Sequence, residues 1–90
     1  MKSSSGARKK HDTRFKNYLY DLGYLIKEEA LASKKERDQK SRNSRKFTFQ
    51  EGRLAAFHYI IGLMQQQAEA FGIPLEELRL DDIDPDKDLL

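Results

Sequence analysis

The chain carries two histidines, His11 and His58, which are the first candidates for metal or acid–base chemistry. A histidine that binds a metal from a helix needs a second ligand three or four positions away, as in the pattern H-E-x-x-H. Those positions around His58 hold leucine, alanine, isoleucine and glycine, and His11 lies in a basic segment with no paired ligand. The sequence therefore predicts no metal site and no cofactor.

Aspartates near the end of the printed sequence alternate in a way that resembles a calcium loop. Asp82, Asp84, Asp86 and Asp88 match ligand positions 1, 3, 5 and 7 of such a loop. Lys87 occupies position 6, where the sharp turn requires glycine. We therefore expect a solvated acidic tail here rather than a calcium site.

The remaining functional groups do not combine into a catalytic arrangement. Glu28 and Glu29 are adjacent, as are Glu76 and Glu77, so on a helix the side chains of each pair diverge by about 100° and share no proton. The five glycines match no phosphate-binding loop, and there is no cysteine to act as a nucleophile or zinc ligand. The sequence predicts a protein that is not an enzyme.

Lysine and arginine form two clusters, one near the start of the chain and one near its middle. Phosphate backbones attract such clusters, because each neutralised phosphate releases counterions. Asp12, Glu36 and Asp38 interrupt the clusters, and no recognition helix or RNA-binding motif is present. Nucleic-acid binding is therefore an alternative hypothesis and not the favoured one. The candidate nucleic-acid contacts are Arg8, Lys9, Lys10, Lys34, Lys35, Arg42, Arg45 and Lys46.

Length and composition limit the chain to one small domain. Its 90 residues, 38% apolar and 36% charged, bury only about 60–65% of the surface that the unfolded chain exposes. The net charge of +2 conceals a basic beginning and an acidic end. No apolar run approaches the ~20 residues that span a bilayer, so we expect no membrane partner and a cytoplasmic location.

Hydrophobic spacing predicts an all-α fold built on a long antiparallel helical hairpin. Apolar residues recur every three or four positions over about residues 13–39 and 49–71, with a polar connection between them. Thr48 and Glu51 form a capping-box pattern at the start of the second helix, and Gly72 marks its end. Small residues such as glycine inside the second helix indicate close passage of another helix.

Three parts are expected along the chain. Residues 1–11 form a disordered basic N-terminal arm, because this segment is too polar to fold alone. Residues 12–79 form a single helical domain that ends in a short C-terminal helix at about 74–79, opened by a proline. Residues 80–90 form an acidic, irregular C-terminal tail.

Each predicted helix is apolar on two sides, although a lone hairpin has only one seam. The broader stripes, which we assign to that seam, are Phe15, Tyr18, Leu19, Leu22, Leu25, Ile26 and Ala30 on the first helix and Phe49, Ala56, Phe57, Ile60, Leu63, Met64 and Phe71 on the second. The narrower stripes then pair two hairpins into a four-helix bundle, which predicts a homodimer. The predicted self-association residues are Leu54, Ile61, Ala68, Tyr20, Tyr24 and Leu31.

An alternative covers the second stripe within one chain. In this alternative Leu75, Leu78, Leu80 and Ile83 fold back over the hairpin, and no second copy is needed.

The favoured function is a small, non-catalytic protein–protein interaction or regulatory module. It self-associates through its apolar helix faces and docks a protein partner that the sequence does not identify. The small size is typical of bacterial or phage accessory proteins. The alternative function is a nucleic-acid-binding accessory protein that uses the basic arm and the basic hairpin tip.

Overall fold

A computed structural model describes the backbone of residues 2–90 and the side chains of residues 13–90. Two long helices, α1 (Lys2–Asp38) and α2 (Arg45–Ala70), are followed by a short 3₁₀-helix (Leu75–Leu78) and a single helical turn, α3 (Pro85–Asp88). No strand occurs in the described part of the chain. The predicted all-α hairpin with a short C-terminal helix is confirmed.

Side-chain hydrogen bonds fix the antiparallel register of the two long helices. Near the connecting loop, Gln50 Nε2 donates to Glu36 at 2.8 Å. Further along the hairpin, the Arg53 guanidinium donates to Glu29 at 3.0 Å. The molecule measures 63 × 20 × 16 Å, so the sides of the two helices make up most of its surface.

α1 begins at Lys2, earlier than the predicted start near residue 13. The first proline of the chain is Pro74, and an established helix extends at low cost through residues of ordinary propensity. The side chains of residues 2–12 lie outside the described residues. No described side-chain contact tests the disorder predicted for residues 1–11, so that disorder stays a prediction.

α2 begins one turn before the predicted capping box at Thr48 and Glu51. Ser44 is the N-cap, and its Oγ accepts a hydrogen bond from the Phe47 N–H at 3.1 Å. Thr48 lies inside the helix, where its Oγ1 donates to the Ser44 carbonyl at 3.3 Å. The capping-box prediction was wrong because a serine four residues earlier provides an equivalent cap, with no helix breaker between the two.

The end of α2 follows the sequence prediction. Gly72 has a φ of +68°, the left-handed conformation that glycine adopts without steric cost. Its N–H donates to the Glu69 carbonyl at 3.1 Å, and the Ile73 N–H donates to the Ala68 carbonyl at 2.8 Å. This pair of bonds is a Schellman motif, which satisfies two carbonyls of the last turn and reverses the chain.

The buried face of α2 is the one predicted to bind a second copy. Leu54, Ile61 and Ala68 are at most 3% exposed and belong to the core of the single chain. The assignment of these three residues to a self-association surface is therefore corrected: they form the seam of the hairpin itself.

Small residues of α1 explain why the seam was assigned to the wrong face. The buried positions of α1 include Ala30 and Ser33, which contribute little to a count of large apolar residues. Close packing places large side chains of one helix against small ones of the other, so Leu54 and Ile61 fit this strip of α1. The larger side chains of the predicted seam remain partly exposed.

Residues 75–90, called the C-terminal segment below, pack along one side of the hairpin. Leu78, Leu80, Ile83 and Leu89 are at most 7% exposed and join the core. The irregular tail predicted for residues 80–90 is corrected, because apolar side chains interspersed among the aspartates reach the groove between the helices. On this side of the molecule the chain covers itself with its own C-terminal segment, as the alternative without a second copy predicts.

Gly23 is the position where the C-terminal segment approaches α1 most closely. A Cβ at this position would collide with the carbonyl oxygen of Leu78. By contrast, no atom lies within 4 Å of a Cβ built on Gly52 or Gly62, the two glycines expected to mark close helix passage. That expectation was wrong, because the close approach involves α1 and the C-terminal segment.

Candidate functional site

The covered side of the hairpin includes two tyrosines that were predicted to contact a second copy. The Arg79 guanidinium lies over both rings, 5.0 Å from the centroid of Tyr20 and 4.4 Å from that of Tyr24. Arg79 itself has a φ of +56°, which directs the chain from the 3₁₀-helix back toward α2. Tyr20 and Tyr24 therefore hold the C-terminal segment. Leu31, two turns further along α1, remains partly exposed.

A buried lysine fixes the middle of the C-terminal segment. The Lys27 side chain is 7% exposed, and its Nζ donates to Asp82 at 2.8 Å. This hydrogen bond lowers the pKa of the Asp82 carboxyl below its ordinary value. Sequence reasoning missed the pair, although Lys27 follows Tyr24 by three positions and so shares its stripe.

Polar side chains of α2 hold the C-terminal segment from the other helix. Gln65 Nε2 donates to the carbonyls of Leu80, at 3.1 Å, and Ile83, at 2.8 Å. His58 Nε2 lies 2.7 Å from Asp86 of α3. A cleft of about 650 Å³ opens between α2 and the segment, with His58 and Asp86 among its lining residues. His58 therefore has a structural role in this arrangement.

Within residues 13–90, no segment covers the opposite side of the hairpin. Here the Arg53–Glu29 ion pair crosses from α2 to α1, and the Arg53 guanidinium also lies 5.5 Å from the Phe57 ring centroid. Apolar residues one to five turns from this pair, in the direction away from the loop, share its side of each helix, by the spacing of three and four positions. The set, called the open face below, comprises Tyr18, Leu22, Leu25, Phe57, Ile60, Met64 and Phe71.

The open face is apolar and accessible to water. Four of its members, Tyr18, Leu25, Ile60 and Phe71, are 41–74% exposed, and the other three are half-buried. Sequence reasoning assigned all seven residues to the hairpin seam. On α2 the structure reverses the two faces in part: Leu54, Ile61 and Ala68 form the seam, whereas Ile60 and Phe71 of the predicted seam are exposed. Phe57 and Met64 are half-buried and pack against the core, and Ala30 of the predicted α1 seam is fully buried there.

The loop end of the hairpin, residues 34–49, is called the hairpin tip below and is basic. Lys34 and Arg37 both bond to Asp38, at 3.1 Å and 3.0 Å, and these bonds lower the pKa of the Asp38 carboxyl. Arg37 also donates to the Leu90 carbonyl at 3.2 Å, which brings the C-terminal segment to the edge of the tip. Five other basic side chains have no acidic partner among the described residues: Lys35, Lys40, Arg42, Arg45 and Lys46.

The structure does not bring the two predicted basic clusters together. α1 runs unbroken from Lys2 to Asp38, so the backbone of Arg8, Lys9 and Lys10 lies about 35 Å along the helix axis from the hairpin tip. The side chains of these three residues lie outside the described part of the chain. Only the tip can therefore be analysed as a binding surface.

Two kinds of site, for a metal ion and for a membrane crossing, are absent from the described residues. No group of three or more histidine, cysteine, aspartate or glutamate side chains in this part of the chain could hold a metal ion. None of the helices searched there combines the length and apolar character that a membrane crossing requires.

Comparison of the chain with models of protein families, with curated proteins and with solved structures gives no match. The open face and the hairpin tip are therefore the features from which a function can be proposed.

Proposed function

We propose that this chain is a non-catalytic interaction module that self-associates through the open face, so that two hairpins form a four-helix bundle. The exposure of Tyr18, Leu25, Ile60 and Phe71 on one side of the molecule carries the proposal. The other side is already covered by the chain's own C-terminal segment. Removing apolar surface from water is the dominant favourable term in protein association, and the open face provides such surface.

The dimensions of the open face suit an interface between two copies. From Arg53 to Phe71 the face extends about 27 Å along α2, and two helices side by side are about 20 Å wide. Each copy thus buries about 540 Å², and the total of about 1,100 Å² exceeds the ~1,000 Å² expected of a specific interface. A patch of this size is also near the upper limit of what monomers expose.

The chemistry of the open face also matches a second copy. The charged residues that border it, Glu29 and Arg53, already pair with each other at 3.0 Å. A twofold axis brings the same apolar side chains of both copies together and keeps this ion pair at the border of the interface. A cytoplasmic location, a bacterial origin and an additional protein partner stay predictions from the sequence.

Ile60→Asp tests the proposal, and Tyr59→Asp is its matched control. Both variants place a carboxylate on an exposed position of α2, but adjacent helical residues point about 100° apart, so Tyr59 lies outside the open face. In sedimentation equilibrium we expect dimers for the unchanged chain and for Tyr59→Asp, and monomers for Ile60→Asp. Circular dichroism should show the same helical content in all three. An unchanged chain that stays monomeric at high concentration would overturn the proposal.

A further inference from the structure

The hairpin tip combines free positive charge with one exposed aromatic ring. Lys40, Arg45 and Lys46 line a cleft of about 490 Å³, together with Phe49, Gln50 and Glu36. The Phe49 side chain is 66% exposed, and it is the only large exposed hydrophobic residue described between positions 34 and 50. The aliphatic and aromatic surface of the cleft is therefore concentrated on a single ring surrounded by cations.

The acidic groups of the hairpin tip are already occupied. Asp38 accepts hydrogen bonds from Lys34 and Arg37, and Glu36, which lines the cleft, accepts one from Gln50 Nε2 at 2.8 Å. The Gln50 bond also ties α2 to α1 directly behind the cleft, and this holds the basic side chains on a rigid base. Asp38 is therefore shared by two cations, whereas Glu36 keeps its charge in the cleft. The tip still carries seven basic side chains against these two acidic ones.

We propose that the hairpin tip binds single-stranded nucleic acid. In this arrangement Lys40, Arg45 and Lys46 contact successive phosphates, and a base stacks on the Phe49 ring. Single strands are held in this way by proteins that combine a cationic path with aromatic platforms. Lys40 and Arg45 lie at the loop end of the hairpin, whereas Phe49, one turn before Arg53, borders the open face.

The exposed Phe49 ring favours a single strand over a duplex. In a duplex the bases are stacked on each other, and Phe49 has no base face to contact. A single strand offers both the phosphates and the free base.

An anionic membrane fits the tip less well than a single strand does. Binding at a bilayer surface scales with the apolar area that enters the interface, and here that area is one phenylalanine ring. Arg37 is also already bonded to the Leu90 carbonyl at the edge of the tip, which leaves it less available to an extended anionic surface.

The test is fluorescence anisotropy of the full chain with a labelled single-stranded oligonucleotide of about 16 nucleotides. Contacts to about three phosphates give a salt slope of about −2.1, so the affinity should fall about 20-fold between about 50 mM and about 200 mM salt. A duplex of the same sequence should bind more weakly. Vesicles that contain phosphatidylserine should bind less than the oligonucleotide at equal anionic charge.

Three variants separate the contributions of charge and ring. Lys46→Gln should reduce the magnitude of the salt slope by about 0.7. Lys87→Gln removes the same charge from exposed α3 and should leave the slope unchanged. Phe49→Leu should weaken binding about tenfold at both salt concentrations without altering the slope, because stacking involves no counterion.

Several results would overturn the proposal. They are absence of binding at low salt, equal effects of Lys46→Gln and Lys87→Gln, tighter binding of the duplex, and binding to vesicles without binding to the oligonucleotide. Circular dichroism of each variant confirms that helical content is retained, which is expected because all three side chains are exposed.

Discussion

Ile60 and Ile61 are neighbours in the sequence but belong to opposite sides of the molecule: Ile61 is fully buried in the hairpin seam, whereas Ile60 is 41% exposed on the open face. One position along α2 therefore separates the core of the chain from its proposed interface. The two residues have the same side chain, so they form a natural pair for comparison.

Truncation of the two isoleucines should have unequal effects. Ile61→Ala is expected to lower the free energy of unfolding by about 2–5 kcal/mol, because it removes buried methyl groups and leaves a cavity. Ile60→Ala should lower it by less than about 1 kcal/mol. Urea denaturation in dilute solution measures both values, and equal losses would contradict the assignment of the two faces.

Two glycine substitutions should change the free energy of unfolding in opposite directions. Gly23→Ala is expected to destabilise the chain by about 1–3 kcal/mol, because the new methyl group collides with the Leu78 carbonyl and the backbone must shift. Gly52→Ala meets no atom within 4 Å and should stabilise α2 by about 0.5–1 kcal/mol. Thermal unfolding of both variants provides the comparison. Stabilisation by Gly23→Ala would show that the segment does not pack against α1 at this point.

Arg79 combines a favourable side chain with a costly backbone conformation. Arg79→Ala removes the contacts with Tyr20 and Tyr24 but keeps a left-handed residue with a Cβ. Arg79→Gly removes the same contacts and also removes the backbone cost, so it should be more stable than Arg79→Ala by about 0.5–1 kcal/mol. Chemical denaturation of the two variants measures the difference. The reverse order would contradict the positive φ of residue 79.

Acid should loosen the C-terminal segment through Asp82. The pKa of this carboxyl is lowered in the folded chain by the hydrogen bond from Lys27, so its contribution to stability is present above the unfolded pKa of about 3.9. That contribution is lost as the pH falls below this value and through the lowered folded pKa. Urea unfolding at a series of pH values should therefore show a steeper acid loss for the unchanged chain than for Asp82→Asn. Parallel curves would mean that the Lys27 bond does not form in solution.

The sequence was sufficient to predict the helices but not which apolar face of each helix is buried. Hydrophobic period and the glycine at position 72 were sufficient to predict a hairpin and the end of its second helix. The period does not show which of two apolar stripes lies inside, because the answer depends on the partner helix. Here the partner strip contains Ala30 and Ser33, and small residues carry little hydrophobic signal although they permit close packing.

The packing of the C-terminal segment on the hairpin was not the favoured prediction, because the segment is rich in charged residues. Its aspartates indicated a solvated tail, and their alternation with Leu80 and Ile83 was given too little weight. The contacts that hold the segment, from Lys27, Gln65 and Arg79, join residues far apart in the sequence. No local pattern specifies such pairings, since they depend on the geometry of the completed hairpin.

The separation between Lys27 and Asp82 has a consequence for the order of folding. These residues are 55 positions apart, whereas Arg53 and Glu29 are separated by 24, and closing the longer loop costs more entropy. We therefore expect the two long helices to associate before the C-terminal segment docks, and the segment to be the first part to detach when the native state fluctuates. Between these two steps the side that the segment covers, which includes Tyr20, Tyr24 and Lys27, faces water, and the hairpin is uncovered on both sides.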